Sequence, residues 1–286
     1  MDKYSKVLSQ FDLNLNDDVI ASKVSALIGK KFKENHTEGV LNFLYSCIDL
    51  TSLNTDDSVE SIWKFVEKVN DFDGSRPDVG NVAAICVFPN FVSVVKEALT
   101  VDIKIASVAG GFPSSQTFPE IKIAEVSLAV GDGADEIDIV MNAGAFFDDE
   151  LDVFCNEIME LKDACRESAL KVILETGLLK TATNIKKAAV LSIYSGADFI
   201  KTSTGKGYPG ATPEAVYVMC ETVKEYYALH NRKIGIKVSG GLSSPEDAVK
   251  YYTIVKEVLG EEWISPKYFR LGSSRLADNL LCWHNS

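Results

Sequence analysis

A (β/α)₈ TIM barrel, an α/β fold, is the class that this sequence predicts, and three observations predict it. From Tyr45 onward eight short apolar runs alternate with eight helical patterns. The 286 residues suffice for one such domain, and no Pro/Gly/Ser linker, low-complexity tract or charge block divides them. Polar residues and glycines gather where the runs end, the edge at which such barrels place their chemistry. A doubly wound open sheet is the alternative, because it shares the alternation.

Residues 1–45 carry one helix, opened by Asn16-Asp17-Asp18. Val19, Ile20, Val24, Leu27 and Ile28 recur at helical spacing up to Gly29. Residues 1–44 are therefore expected to form a helical extension packed on the single barrel domain. The strands are expected near 46–50, 82–88, 103–108, 136–141, 171–175, 198–202, 234–239 and 268–272. Helices are expected near 56–70, 90–99, 118–131, 149–167, 182–195, 212–229, 245–259 and after Ala277. Thr212-Pro213-Glu214 and Ser244-Pro245-Glu246 read as helix starts with proline at the first position. Gly131, Gly196 and Gly260 read as stops.

A formal charge of −12 argues against nucleic acid or an anionic membrane as the main partner. The six cysteines form no C-x-x-C pair, which suits reduced, buried thiols. No basic region precedes an apolar run at the N-terminus, and no uninterrupted apolar stretch reaches about 18 residues. The expected location is cytoplasmic.

The chemistry centres on two lysines. Lys201 lies in the apolar run that ends at Thr202, and Lys237 lies in Ile234-Gly-Ile-Lys-Val-Ser-Gly-Gly241. Burying an ammonium costs several kcal/mol unless it is paired or loses its proton. Once neutral, it attacks carbonyl carbon. Two ammonium groups about 6 Å apart repel by roughly 3 kcal/mol at an effective dielectric near 20, or about two pKa units. Asp138 shares the inward parity of these lysines. Asp49, Thr51, Cys86, Glu175, Thr176, Thr202, Ser239, Ser273 and Ser274 stand at other strand ends. The plainer alternative makes both lysines structural partners of Asp49, Asp138 or Glu175.

Ser203-Thr-Gly-Lys-Gly-Tyr-Pro-Gly210 contains G-x-G-x-x-G after a strand, but so late in the chain that a phosphate seat fits better than a dinucleotide fold. Backbone N–H groups of Gly205 and the Lys206 ammonium would form it, with Gly240-Gly241 and Gly272-Ser273 from the last two strands. His36, His230 and His284 lie far apart, so neither a metal nor another cofactor is expected. No histidine is placed to activate Cys86, which reads as a wall thiol.

Seven motifs, in order, resemble the deoxyribose-phosphate aldolase family over about residues 45–276. They are Ile-Asp-Leu-Thr-Ser-Leu (48–53), Cys-Val-Phe-Pro (86–89), Gly-Ala-Asp-Glu-Ile-Asp-Ile-Val (133–140), Ile-Leu-Glu-Thr-Gly (173–177), Asp-Phe-Ile-Lys-Thr-Ser-Thr-Gly-Lys (198–206), Ile-Lys-Val-Ser-Gly-Gly (236–241) and Phe-Arg-Leu-Gly-Ser-Ser (269–274). The resemblance implies a metal-free class I aldolase that interconverts 2-deoxy-D-ribose 5-phosphate with glyceraldehyde 3-phosphate and acetaldehyde. It implies Lys201 as Schiff-base lysine, Lys237 as its cationic neighbour and Asp138 as the carboxylate that moves protons with a water. Asp49 and Thr51 would hold that network or the sugar hydroxyls, and Cys86, Thr202 and Thr204 would also meet the substrate. Gly205, Lys206, Gly240, Gly241, Gly272, Ser273 and Ser274 would hold its phosphate.

Three departures stand out. Ser243 replaces a basic residue common after the Gly-Gly pair, the end Cys-Trp-His-Asn-Ser286 lacks a closing tyrosine, and the loop 110–117 and the N-terminal extension differ from shorter members. A homo-oligomer, with a dimer as first choice, is expected. The rivals are another Schiff-base barrel aldolase, of transaldolase or fructose-bisphosphate type, and a non-catalytic sugar-phosphate-binding barrel.

Overall fold

The computed structural model describes residues 3–283, without the side chain of Trp283. Eight parallel strands close into a barrel in chain order: β1 Ile48–Thr51, β2 Ala84–Val87, β3 Lys104–Ala109, β4 Glu136–Val140, β5 Ala169–Ile173, β6 Phe199–Lys201, β7 Gly235–Ser239 and β8 Phe269–Ser273. β8 pairs back onto β1, with Asp49 opposite Gly272. The open-sheet alternative is thereby excluded.

Helices α1 Lys3–Leu8, α2 Asp17–Asn35 and α3 Glu38–Ser46 precede the barrel. The outer ring is α4 Val59–Phe72, α5 Val92–Ala98, α6 Pro119–Asp132, α7 Ala143–Phe147, α8 Leu151–Cys165, α9 Thr176–Leu179, α10 Ala182–Tyr194, α11 Pro213–His230, α12 Pro245–Leu259 and α13 Leu276–Trp283. The proline-led starts behave as read: Thr212 and Ser244 accept from the backbone N–H of Ala215 and Asp247. Ser58 and Ser61 close a capping box on α4.

The N-terminal stretch holds three helices rather than one. α2 runs through Gly29 to Asn35, since one internal glycine costs only about 1 kcal/mol and the apolar face continues to Phe32. Asn35 then donates to Thr253 Oγ1 of α12 at 3.1 Å, and Asp17 accepts from the Ala182 backbone of α10 at 2.8 Å. Gly131 lies inside α6, and the chain turns into the left-handed region only at Gly133, φ 113°. β5 begins at Ala169, two residues earlier than Lys171, which becomes a mid-strand residue.

The main apolar core lies between barrel and helices. Inside the barrel a small apolar cluster of Leu53, Ala84, Cys86, Ala106 and Val108 occupies the β2–β3 side. The remaining interior is charged.

Candidate active site

Asp138 is the hub. It is fully buried on β4, and its carboxylate accepts from Lys171 at 3.0 Å, Lys201 at 2.8 Å and Lys237 at 2.7 Å. Strand register produces this meeting, because Asp138 pairs with Lys171 across β4–β5, and Lys201 with Lys237 across β6–β7. Both catalytic candidates also share one oxygen, Oδ2. Lys237 sits 2.5 Å from Asp49, which in turn accepts from Arg270 at 2.6 Å. Gly272 makes space for this packing, since a Cβ there would lie 3.1 Å from Lys237 Cε and 2.9 Å from Ser239 Cβ.

The two lysines are driven in opposite directions. Burial lowers Lys201 below an ordinary lysine, against Asp138, with the Lys237 charge assisting. The expected cause was Lys237 first, and burial precedes it. Burial also opposes charge on Lys237, but Asp138 and Asp49 outweigh it and hold the ammonium well above its ordinary value. Asp138 falls well below the usual carboxylate range despite burial, because Lys171, Lys201 and Lys237 surround it.

A cavity of about 290 Å³ opens above Lys201. The expected residues Thr51, Thr204, Gly205, Lys206, Gly240, Gly241, Gly272, Ser273 and Ser274 line it. Close approach shapes its wall: a Cβ on Gly210 would meet Gly240 O at 2.0 Å. Ser273 Oγ donates to Leu242 O and accepts from Arg275 and Leu276 N–H, capping α13. Lys206 Nζ donates to Leu53 O at 2.6 Å, across the mouth from β6 to the loop after β1.

Several expectations are corrected. Thr202 does not line the cavity, because its hydroxyl exchanges hydrogen bonds with the Ser239 backbone, 2.9 Å each way. Cys86 is fully buried in the apolar cluster, where burial pushes its thiol up, and it too is absent from the lining. Asp49 takes the first of its two expected parts, holding the ion network, and does not line the cavity. Glu175 holds no lysine of the barrel: with φ 52° it turns to accept from Thr204 Oγ1 at 2.5 Å and from the Thr204 N–H.

Lys171, Glu136 and Arg270 were missed inside the barrel, and Arg275 at the cavity rim. Glu136 stands two residues before Asp138, so strand alternation alone could have placed it on the same face. Among the described residues no cluster of three His, Cys, Asp or Glu could hold a metal. The expected part of His284 and of the end without tyrosine lies outside the described residues.

With this geometry fixed, likeness to known proteins is informative. The profile of the DeoC/LacD family aldolases matches residues 43–253. The chain is 40% identical to a relative in Caenorhabditis elegans, over 82% of this chain and 78% of that one. It is 38% identical to the deoxyribose-phosphate aldolases of Bos taurus and Homo sapiens, over 81% and 82% of this chain and 76% and 77% of theirs. A solved structure named QR15, an aldolase, matches at TM-score 0.70 and 31% identity, covering 85% of this chain and 97% of its own.

Proposed function

The chain belongs to the DeoC/LacD aldolase family, and from that premise we propose that it cleaves 2-deoxy-D-ribose 5-phosphate, reversibly, to glyceraldehyde 3-phosphate and acetaldehyde. The observation that carries the reading is Lys201: a buried amine with lowered proton affinity, at the floor of a polar cavity with cations at its rim. The lysine attacks C1 of the open-chain aldehyde, and loss of water gives an iminium. The C3 hydroxyl gives its proton to water, the C2–C3 bond breaks, and its electron pair enters the iminium to leave an enamine. Glyceraldehyde 3-phosphate departs. Protonation of the enamine at C2 and hydrolysis then release acetaldehyde and free Lys201. Asp138 stays ionised and stabilises the cationic nitrogen, while Lys237 remains an ammonium that favours a neutral Lys201.

The phosphate rests on the N–H groups of the glycine turns and at the N-terminus of α13. Lys206 supplies charge from one side and Arg275 from the other, in place of the cation absent at Ser243. The chain acts as one barrel domain with residues 1–44 as an extension, and as a homo-oligomer, a dimer in the first instance. It works in the cytoplasm, and no helix of the described residues is long and apolar enough to cross a membrane. Incubation with deoxyribose 5-phosphate in the presence of EDTA should yield both aldehydes in equal amounts. Cleavage that requires an added divalent ion, or no cleavage at all, would overturn the reading.

A further inference from the structure

Seven ionisable side chains gather in the barrel interior, and their ion pairs are with one another. β1 supplies Asp49, β4 Glu136 and Asp138, β5 Lys171, β6 Lys201, β7 Lys237 and β8 Arg270. β2 adds only Cys86, whose thiol burial keeps neutral, and β3 contributes the apolar Ala106 and Val108. Lys171 reaches Glu136 at 2.5 Å, Asp138 at 3.0 Å and Asp49 at 3.5 Å. Arg270 reaches Asp49 at 2.6 Å and Glu136 at 2.8 Å. Among the described residues no ion pair leaves this set.

Fully ionised, the set holds Lys171, Lys201, Lys237 and Arg270 against Asp49, Glu136 and Asp138. One positive charge is in excess, in a buried interior that strongly disfavours an uncompensated charge. Arginine cannot shed its proton. Lys171 is held by three carboxylates and Lys237 by Asp49 and Asp138, whereas Lys201 is held by Asp138 alone. Lys201 is also the one member of the set that lines the cavity, whose other charged residues are the rim cations Lys206 and Arg275.

We propose that this odd charge, and not the Lys201–Lys237 pair alone, keeps Lys201 unprotonated, with Lys171 and Glu136 as positioning residues that set the balance from below the site. The excess charge returns when Lys201 becomes an iminium and is discharged when the enamine forms, so the same imbalance favours carbon–carbon cleavage. The inference rests on Lys201 as the imine-forming residue, and it gives Lys171 and Glu136 opposite signs.

The test follows ethylation of Lys201 by acetaldehyde and cyanoborohydride through a pH series, with peptide mass spectrometry as the readout. Lys171→Met removes a cation, so the set balances with Lys201 protonated, and the midpoint of labelling should rise by about one pH unit or more. Glu136→Gln adds to the excess and should lower it. The double variant restores a single excess charge and should return the midpoint to within about half a unit of the wild type. Near-UV circular dichroism checks the fold of each, and the near-isosteric Glu136→Gln carries the test if Lys171→Met does not fold. Midpoints that stay fixed, or single variants that shift the same way, would overturn the charge balance while Lys201 remains labelled. A wild type without any ethyl group on Lys201 would instead overturn the Schiff-base reading beneath it.

Discussion

Across the barrel interior, β2 and β3 present Ala84, Cys86, Ala106 and Val108, whereas β4 to β8 and Asp49 present seven ionisable groups. Both walls are buried to the same degree. The apolar wall, with Phe88 and Phe112 packed against it, withholds water and polar partners from its neighbours. On the opposite wall that dryness strengthens every charge–charge term and places one lysine low and another high. Depth of burial alone therefore says nothing about role. The charge a strand carries inward, and what faces it across about one barrel diameter, decides whether a wall is filler or machinery.

Lys201→Arg separates the two walls most sharply, since it removes the nucleophile and fixes a cation on Asp138 where the neutral lysine stood. Cleavage should fall by several orders of magnitude, measured as aldehyde release, and the melting temperature should fall too, because arginine keeps the excess charge that a neutral lysine relieves. Arginine tolerated with near wild-type turnover would make Lys201 a structural member of the network.

The rim comes next. A charge-assisted contact is worth about 1.5–3 kcal/mol, so Lys206→Met and Arg275→Gln should each raise KM for deoxyribose 5-phosphate roughly 10- to 150-fold. Unphosphorylated deoxyribose should be affected little, and Ser243→Arg should tighten the phosphorylated sugar. Equal damage to both sugars would place these residues outside the phosphate seat.

The apolar wall should yield the smallest effect. Cys86→Ala leaves a small void and removes a thiol that burial keeps protonated, so turnover should stay within about threefold of wild type. A loss beyond tenfold, with the fold intact, would give Cys86 a chemical role that its surroundings argue against.

Much of this was legible in the sequence, and the failures have physical causes. The eight-fold alternation gave every strand within about two residues, because buried parallel strands are short apolar runs with clear boundaries. Lys201, Lys237 and Asp138 were legible because charges inside such runs are costly. Lys171 was missed because the strand was begun at it, which gave its side chain a solvent exit; two residues more of strand leave it without one. Arg270 looked like part of a motif, and only the register between β7 and β8 turns it toward Glu136. Thr202 and Thr204 stand two residues apart, yet one hydroxyl braces two strands and the other anchors a loop on Glu175. Spacing cannot separate those uses. Arg275 escaped because it follows the last motif by one residue, at a rim where loop geometry rather than strand alternation directs the side chain.

If Lys201 forms the covalent imine, borohydride reduction in the presence of acetaldehyde traps it there. Peptide mapping should find one ethyl group per chain, on Lys201, and none after Lys201→Arg. An adduct on Lys237 or Lys171 instead, with Lys201 unmodified and activity lost in step, would contradict the account.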